Sequence, residues 1–295
     1  MTPTPLRVVL VHWNQPGSCL ETIDRFADRE VPVRITVVDN ASEPAALEAL
    51  RTGVKERAAA AIDVELVEVG HNSGFGPGAN VGLRRFLDRH DDGDWVALAP
   101  HDVDPFPGTL AAMLDAAADE PMAGLMCADV GDAMSPVIDP YFGGMIVPGG
   151  TGPGWEPVDY PHGTLMMLRR RCLEEVGVFD ERYFSYCEEA ELALRARRAG
   201  WQVGLVRGAR VQNLHLGSSV WLVDYLQTRN TLLLVQEMSG WYHAFIRACF
   251  TLSQVAKGVV WPQRRPLVFD AGARLAGLRD FVLRRFGPPP PRPRP

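Results

Sequence analysis

In the first third of the chain the apolar side chains fall into short, largely β-branched runs at 7–12, 31–39, 63–69 and 95–99, which read as buried strands. The stretches between them read as helices. Ser18 and Glu21 form a capping box that predicts a helix to about residue 29. Ser42, with Pro44 close behind, predicts another to about residue 61, and a third follows the loop 71–80 and runs to about residue 89. Beyond these, a helix is expected over 108–118, a central strand over 164–168, strands over 203–206 and 210–214, and helices from 220 to about 286. Residues 131–163 are rich in Gly and Pro, show no period, and read as an irregular, partly mobile segment able to line a cleft. No internal repeat is visible, and PPPPRPRP reads as a disordered or polyproline tail.

Strands alternating with helices predict an α/β fold with a mixed, mostly parallel sheet covered on both faces. In such sheets ligands sit beyond the carboxyl ends of the strands. That rule gathers Trp13 and Asn14, Asp39 and Asn40, the loop around Gly74, Gly76 and Gly78, and the acids after the fourth strand onto one edge.

The 295 residues are ample for a real core. A net charge of −6 gives no global electrostatic reason to bind nucleic acid. The charge is uneven: from residue 241 onward ten Lys or Arg face two Asp, a net +8 that leaves −14 for the preceding chain. An acidic body with a basic end predicts that the end meets something anionic. Trp241, Tyr242, Phe245, Phe250 and Trp261, interleaved with Arg247 and Lys257, suit an anionic membrane interface; the competing reading is a helix packed on the body. Five cysteines, odd in number and without a CxxC, indicate neither a disulfide framework nor a zinc site. With no basic n-region at the N-terminus and no long apolar run, a cytoplasmic protein, peripheral on the inner membrane face, is expected.

The stretch GVFDERYFSYCEEAELALR, residues 177–195, joins an aromatic turn to a helix whose first turn holds Glu188, Glu189 and Glu191. Helix N-termini favour carboxylates, and Glu191 with Arg195 makes an i, i+4 pair, so these residues have an ordinary explanation when taken alone. Asp39 is a common turn former, Asp-x-Asp pairs are frequent on surfaces, and a lone His215 is more often a structural hydrogen-bonder. Asp102 and Asp104, on a loop after a strand, are also the hard oxygen ligands that Mg2+ or Mn2+ on a diphosphate requires.

Taken together these blocks resemble family 2 glycosyltransferases. The motif GGFDExFFxYxEDxDLxxR matches 177–195, and a VVDNxS strand end followed by NxGFGxGxN matches Asp39, Asn40, Asn72, Gly74, Phe75, Gly76, Gly78 and Asn80. The resemblance spans about 8–219 and implies a GT-A (Rossmann-like nucleotide-diphospho-sugar transferase) fold over 1–219, a helical extension over 220–286 and a tail over 287–295. It implies an inverting, metal-dependent transfer from a nucleotide-sugar donor, such as dTDP-rhamnose in the rhamnosyltransferase-like branch, to a glycan or polyprenyl-linked acceptor. By the same resemblance Glu189 is the general base, with Glu188 and Glu191 as alternatives because Glu stands where the family has Asp. Trp13, Asn14, Asp39, Asn40, Asn72, Gly74, Gly76, Asn80, Arg195 and Arg229 are implied donor contacts. Asp102, Asp104 and His215 are the implied metal ligands, with Gln212 an alternative to His215 and Pro100 standing where the family has Asn or Asp. A non-catalytic binding relative is the rival reading. A nucleotidyltransferase is a weaker one, because HWNQPGS after the first strand has no Lys or Arg.

Overall fold

The computed structural model describes residues 4–214 and 219–290. The chain alternates β1 (Leu6–His12), α1 (Pro16–Ala27), β2 (Val33–Asp39), α2 (Pro44–Ala59), β3 (Val64–Glu68), α3 (Phe75–Asp88) and β4 (Trp95–Pro100). All of β1 is buried, as a central strand covered on both faces must be. Its side chains alternate between two cores: Val8 and Leu10 pack with Ile23, Phe26 and Leu50, whereas Val9 and Val11 pack with Leu83 and Phe86.

Next come β5 (Val103–Pro105), α4 (Thr109–Asp119), β6 (Ala123–Asp129), β7 (Met134–Asp139), β8 (Gly143–Pro148), β9 (Gly154–Pro157), β10 (Met166–Arg169), α5 (Arg170–Val176), α6 (Glu188–Arg198) and β11 (Gln202–Asn213). Helices α7 (Val220–Ser239), α8 (Trp241–Val260) and α9 (Ala271–Val282) complete the described chain. The sheet order is β3-β2-β1-β4-β10-β6-β11-β5, with β9 also on β11. β10 runs antiparallel between β4 and β6, which makes the sheet mixed.

Several local expectations are corrected. α1 starts at Pro16 with no side-chain cap, so Ser18 is already inside it: the fixed φ of proline suits the first helical position, where an N–H would have no partner within the helix. Ser42 does not cap α2, because its hydroxyl donates to Asp39. α3 absorbs the second half of the glycine loop, where Gly78 and Gly82 let the helix lie against Val11 and Val9. Residues 131–163 are not irregular throughout: they hold the β7–β8 hairpin and β9. The two expected strands near 203 and 214 are one strand, β11, bent at Gly208 with φ +86°. β6 was not expected, since AGLMCAD has none of the β-branched residues that mark a strand, yet it is fully buried. Of the tail, residues 291–295 lie outside the described residues.

The C-terminal helices pack on the body rather than standing apart. Leu232, Leu233, Leu234 and Val235 of α7 share a core with Tyr183, Ala190 of α6, Ala244 of α8 and Phe281 of α9.

Candidate active site

The two motif blocks, a hundred residues apart, are locked together. Asn80 Nδ2 donates to the Phe179 carbonyl at 2.9 Å while its Oδ1 accepts the Phe179 N–H at 3.0 Å. Asn40 does the same for the glycine loop, donating to the Gly74 carbonyl at 2.8 Å and accepting from Ser73 N–H at 3.1 Å. Asn72 Oδ1 accepts the Gly74 N–H at 3.0 Å. Gly74 has φ +97°, and a Cβ there would run into the Phe184 carbonyl oxygen, so only glycine fits. That same oxygen accepts Gly76 N–H at 3.2 Å.

The partner of the glycine loop is the aromatic turn before α6. Phe184, Tyr186 and Cys187 hold φ of 63°, 69° and 72°, a region that costs a non-glycine residue of order 1–3 kcal/mol. What maintains the turn is Asn230 of α7, whose Nδ2 is shared among the carbonyls of Tyr183, Ser185 and Tyr186 at 2.7, 2.8 and 2.8 Å. Arg229 beside it is fully buried, with Nη2 on the Tyr183 carbonyl at 3.4 Å and Nε on Asn230 Oδ1 at 3.0 Å. The expectation that Arg229 touches the donor is therefore corrected: it supports the turn from beneath.

The turn delivers the three acids of α6 to different environments. Glu191 is held by both arms of Arg195 at 2.7 Å, and Arg195 also donates to the carbonyls of Val176 and Val178. That staple shapes the Phe-Asp-Glu turn and uses both residues, so neither Glu191 as base nor Arg195 as donor contact survives. Glu188 is buried, its Oε2 has no hydrogen-bond partner, and burial and then the Glu189 charge push its carboxyl well above the usual range. Glu189 is raised to about 7 by burial. A Cβ at Gly163 would strike Glu189 Oε1, so the backbone there is open to let the carboxylate in.

At the carboxyl edge of β1 and β2, Asp39 is wholly buried. Its Oδ1 meets His12 Nδ1 at 2.8 Å and the Ser42 hydroxyl at 2.5 Å, and its Oδ2 accepts Ser42 N–H at 3.1 Å. Burial raises its pKa, but these donors outweigh burial and hold the carboxyl below the usual range. His12 Nε2 accepts Gln15 N–H at 3.1 Å, which puts its proton on Nδ1, facing Asp39. Asn14, with φ 57°, donates its N–H to Ser42 Oγ and accepts Glu43 N–H, while Trp13 is half exposed beside it. His12 and Ser42 went unremarked as site residues in the sequence because their role exists only where the two strand ends meet.

The Asp-x-Asp pair is split. Asp102 lines the cleft at the strand ends; Asp104 faces away, with Arg29 Nη2 at 3.2 Å and Gln212 Nε2 at 3.3 Å. Asp102 lies in a turn and Asp104 in β5, so the alternation that would put residues i and i+2 on one face does not apply across them. Asp104 and Gln212 are thus corrected as metal ligands by their mutual pairing. Leu214 N–H donates to the Asp102 carbonyl at 2.9 Å, which brings the end of β11 to Asp102; His215 itself lies outside the described residues. Among the described residues no three acidic, His or Cys side chains form a metal cluster. A single cleft carboxylate still fits a Mg2+ or Mn2+ held mainly by a diphosphate.

Two cavities meet at Glu189. The first, of about 570 Å3, is lined by Phe75, Pro100, Asp102, Thr164, Glu188 and Glu189. The second, of about 330 Å3, runs from Glu189 and Gly163 to Tyr160, His162, Arg247 and Arg274 under the C-terminal helices. Glu189 is therefore a wall of both.

No protein-family model matches the chain. An N-acetylglucosaminyl-diphospho-decaprenol L-rhamnosyltransferase of Mycobacterium tuberculosis is 29% identical over 227 residues, covering 63% of this chain and 71% of that one. A low-salt glycan biosynthesis hexosyltransferase of Haloferax volcanii is 41% identical over 49 residues, 17% of this chain and 16% of that one. Among solved structures, a mannosyltransferase of Pyrobaculum calidifontis in complex with GDP-Man and Mn2+ superposes with a TM-score of 0.62 at 14% identity, covering 96% of this chain and 89% of that one. GalNAc-T7 with UDP, GalNAc and Mn2+ gives 0.64 at 14% identity over 94% of this chain and 54% of that one. The structural likenesses establish the fold, and the sequence likeness is to a rhamnosyltransferase. The chain thus has the GT-A fold of glycosyltransferases and is similar in sequence to a rhamnosyltransferase.

Proposed function

We propose that the protein moves a sugar, L-rhamnose in the first instance, from a nucleoside-diphosphate donor to a hydroxyl of a polyprenyl-diphosphate-linked glycan, with inversion. The supporting observation is that Glu189 walls both cavities, so one carboxylate faces a donor beside Asp102 and an acceptor on the other side.

In this reading residues 1–219 hold the donor and residues 220–286 complete the acceptor side. Trp13, Asn14, Asn72 and the backbone of Gly74 and Gly76 lie at the donor edge, which Asp39, Asn40 and Asn80 keep in shape. Glu189 takes the proton of the acceptor hydroxyl as its oxygen bonds to the anomeric carbon; the bond from that carbon to the diphosphate breaks on the opposite face. A single displacement of that kind inverts the centre. A base near 7 is well matched to this task at neutral pH. A divalent ion beside Asp102 would supply charge neutralisation to the leaving diphosphate.

The described residues contain no helix long and apolar enough to cross a membrane. α8 and the segment after it expose Trp241, Tyr242, Phe245, Val260 and Trp261 alongside Lys257, Arg264 and Arg265. An aromatic and basic face of this kind suits an anionic bilayer, where a polyprenyl acceptor resides.

The test is transfer from dTDP-L-rhamnose to N-acetylglucosamine on a short-chain prenyl diphosphate, with Mg2+ or Mn2+. Wild type turns over and Glu189→Gln and Asp102→Asn do not. Undiminished turnover in both variants would remove the mechanism.

A further inference from the structure

We propose that the second cavity is a subsite for the acceptor's diphosphate, with Arg247 of α8 as its principal cation and Arg274 and His162 as supporting donors. This rests on the acceptor class proposed above, though its test does not depend on turnover.

Two of the cavity's cationic or ring donors, Arg247 and His162, have no ion pair or well-aligned hydrogen bond among the described residues. Arg247 is half-buried with its guanidinium 5.6 Å from the Phe142 ring, and no carboxylate of the described residues forms an ion pair with it. Burial and then the nearby Arg274 charge pull its pKa down, which marks a cation short of compensation. Arg274 is fixed by Asp224 at 2.8 Å and by Gln254 Oε1 at 2.9 Å, so its charge is held in place at the cavity wall. His162 buries both ring nitrogens without a well-aligned hydrogen-bond partner. A buried cation and unmatched ring nitrogens are costly unless an acceptor-rich group visits them. The planar fork of arginine suits phosphate oxygens in particular.

The placement fits an acceptor that runs from a reacting hydroxyl to a lipid. Glu189 and Arg247 line the same cavity. Phe142, which lines the cavity under Arg247, packs on Phe250 at 5.2 Å, and Phe250 and Leu252 are exposed, which gives an isoprenoid chain an apolar path along α8.

The experiment measures equilibrium binding of farnesyl diphosphate to the full chain in EDTA, with inorganic pyrophosphate and farnesol as comparison ligands and UDP as competitor. Without a divalent ion, binding beside Asp102 is disfavoured, so the second cavity is read selectively. Farnesyl diphosphate is expected to bind more tightly than either comparison ligand, to resist competition by UDP, and to lose at least about tenfold in affinity in Arg247→Gln with partial recovery in Arg247→Lys. Unchanged thermal unfolding of both variants shows that the fold is intact. Affinity unaffected by Arg247→Gln, displacement by UDP, or absence of binding would overturn the subsite. None of these outcomes bears on whether Glu189→Gln abolishes transfer, so the two proposals fail separately.

Discussion

Asn80 and Phe179 are joined by two hydrogen bonds, the side-chain amide of one satisfying both the N–H and the carbonyl of the other at 3.0 and 2.9 Å. This contact fixes the glycine helix α3 to the turn that launches α6, and with it the donor edge to the acids.

Asn80→Ala leaves two buried backbone groups of Phe179 without partners. A loss of about 2–4 kcal/mol of unfolding free energy is expected by urea titration, together with weakened donor binding. A change below about 0.5 kcal/mol would mean that the joint is held elsewhere.

In the proposed mechanism Glu189 sets the pH behaviour. Its carboxyl is raised from 4.5 to about 7 in the folded chain, so it is protonated and unable to accept a proton at lower pH. The rate constant kcat/KM is expected to fall about tenfold per pH unit below about 7. Glu189→Gln is expected to reduce kcat about 100- to 10,000-fold. Because the folded value lies above the unfolded one, ionising Glu189 destabilises the fold as pH rises past 4.5, with the full cost reached above about 7. Glu189→Gln should therefore raise Tm at pH 8, by about 2–4 °C for each kcal/mol recovered, and leave it nearly unchanged near pH 4.

Gly163→Ala puts a methyl group where Glu189 Oε1 lies. The flexible carboxylate yields and the backbone does not, so stability stays within about 1 kcal/mol while kcat drops about 10- to 100-fold through misplacement of the base. Equal losses in Tm and kcat would instead make the glycine a folding requirement.

Asp102 and Asp104 should separate cleanly. Asp102→Asn is expected to abolish the metal dependence of nucleotide binding in calorimetry. Asp104→Asn weakens partly exposed pairings with Arg29 and Arg25, each worth about 0–1 kcal/mol, and turnover stays within about twofold.

Membrane attachment is checked by vesicle co-sedimentation. Phe245→Ala with Trp261→Ala is expected to reduce binding to anionic vesicles about tenfold or more, and added salt to weaken the wild type. Equal recovery with neutral and anionic vesicles at every salt concentration would remove the role of the basic residues.

The sequence alone settled the parts of this protein that are local. Period and β-branching marked β1, β2 and β4, whose burial on both faces leaves little polar character to confuse the reading. The motif blocks carried the resemblance because glycine at 74 and the asparagines at 40 and 80 answer backbone demands that few other residues meet. What the sequence left open is decided by position across the sheet. The acids at 188, 189 and 191 share one helical turn, and only the fold assigns one to an Arg staple, one to burial without a hydrogen bond on its Oε2 and one to the wall between two cavities. Asp102 and Asp104, adjacent in any motif, part because a turn ends between them. Arg229 looks like a ligand contact in the sequence and becomes a buried support, because burial and hydrogen-bond partners are properties of neighbours brought from far along the chain, which no single stretch encodes.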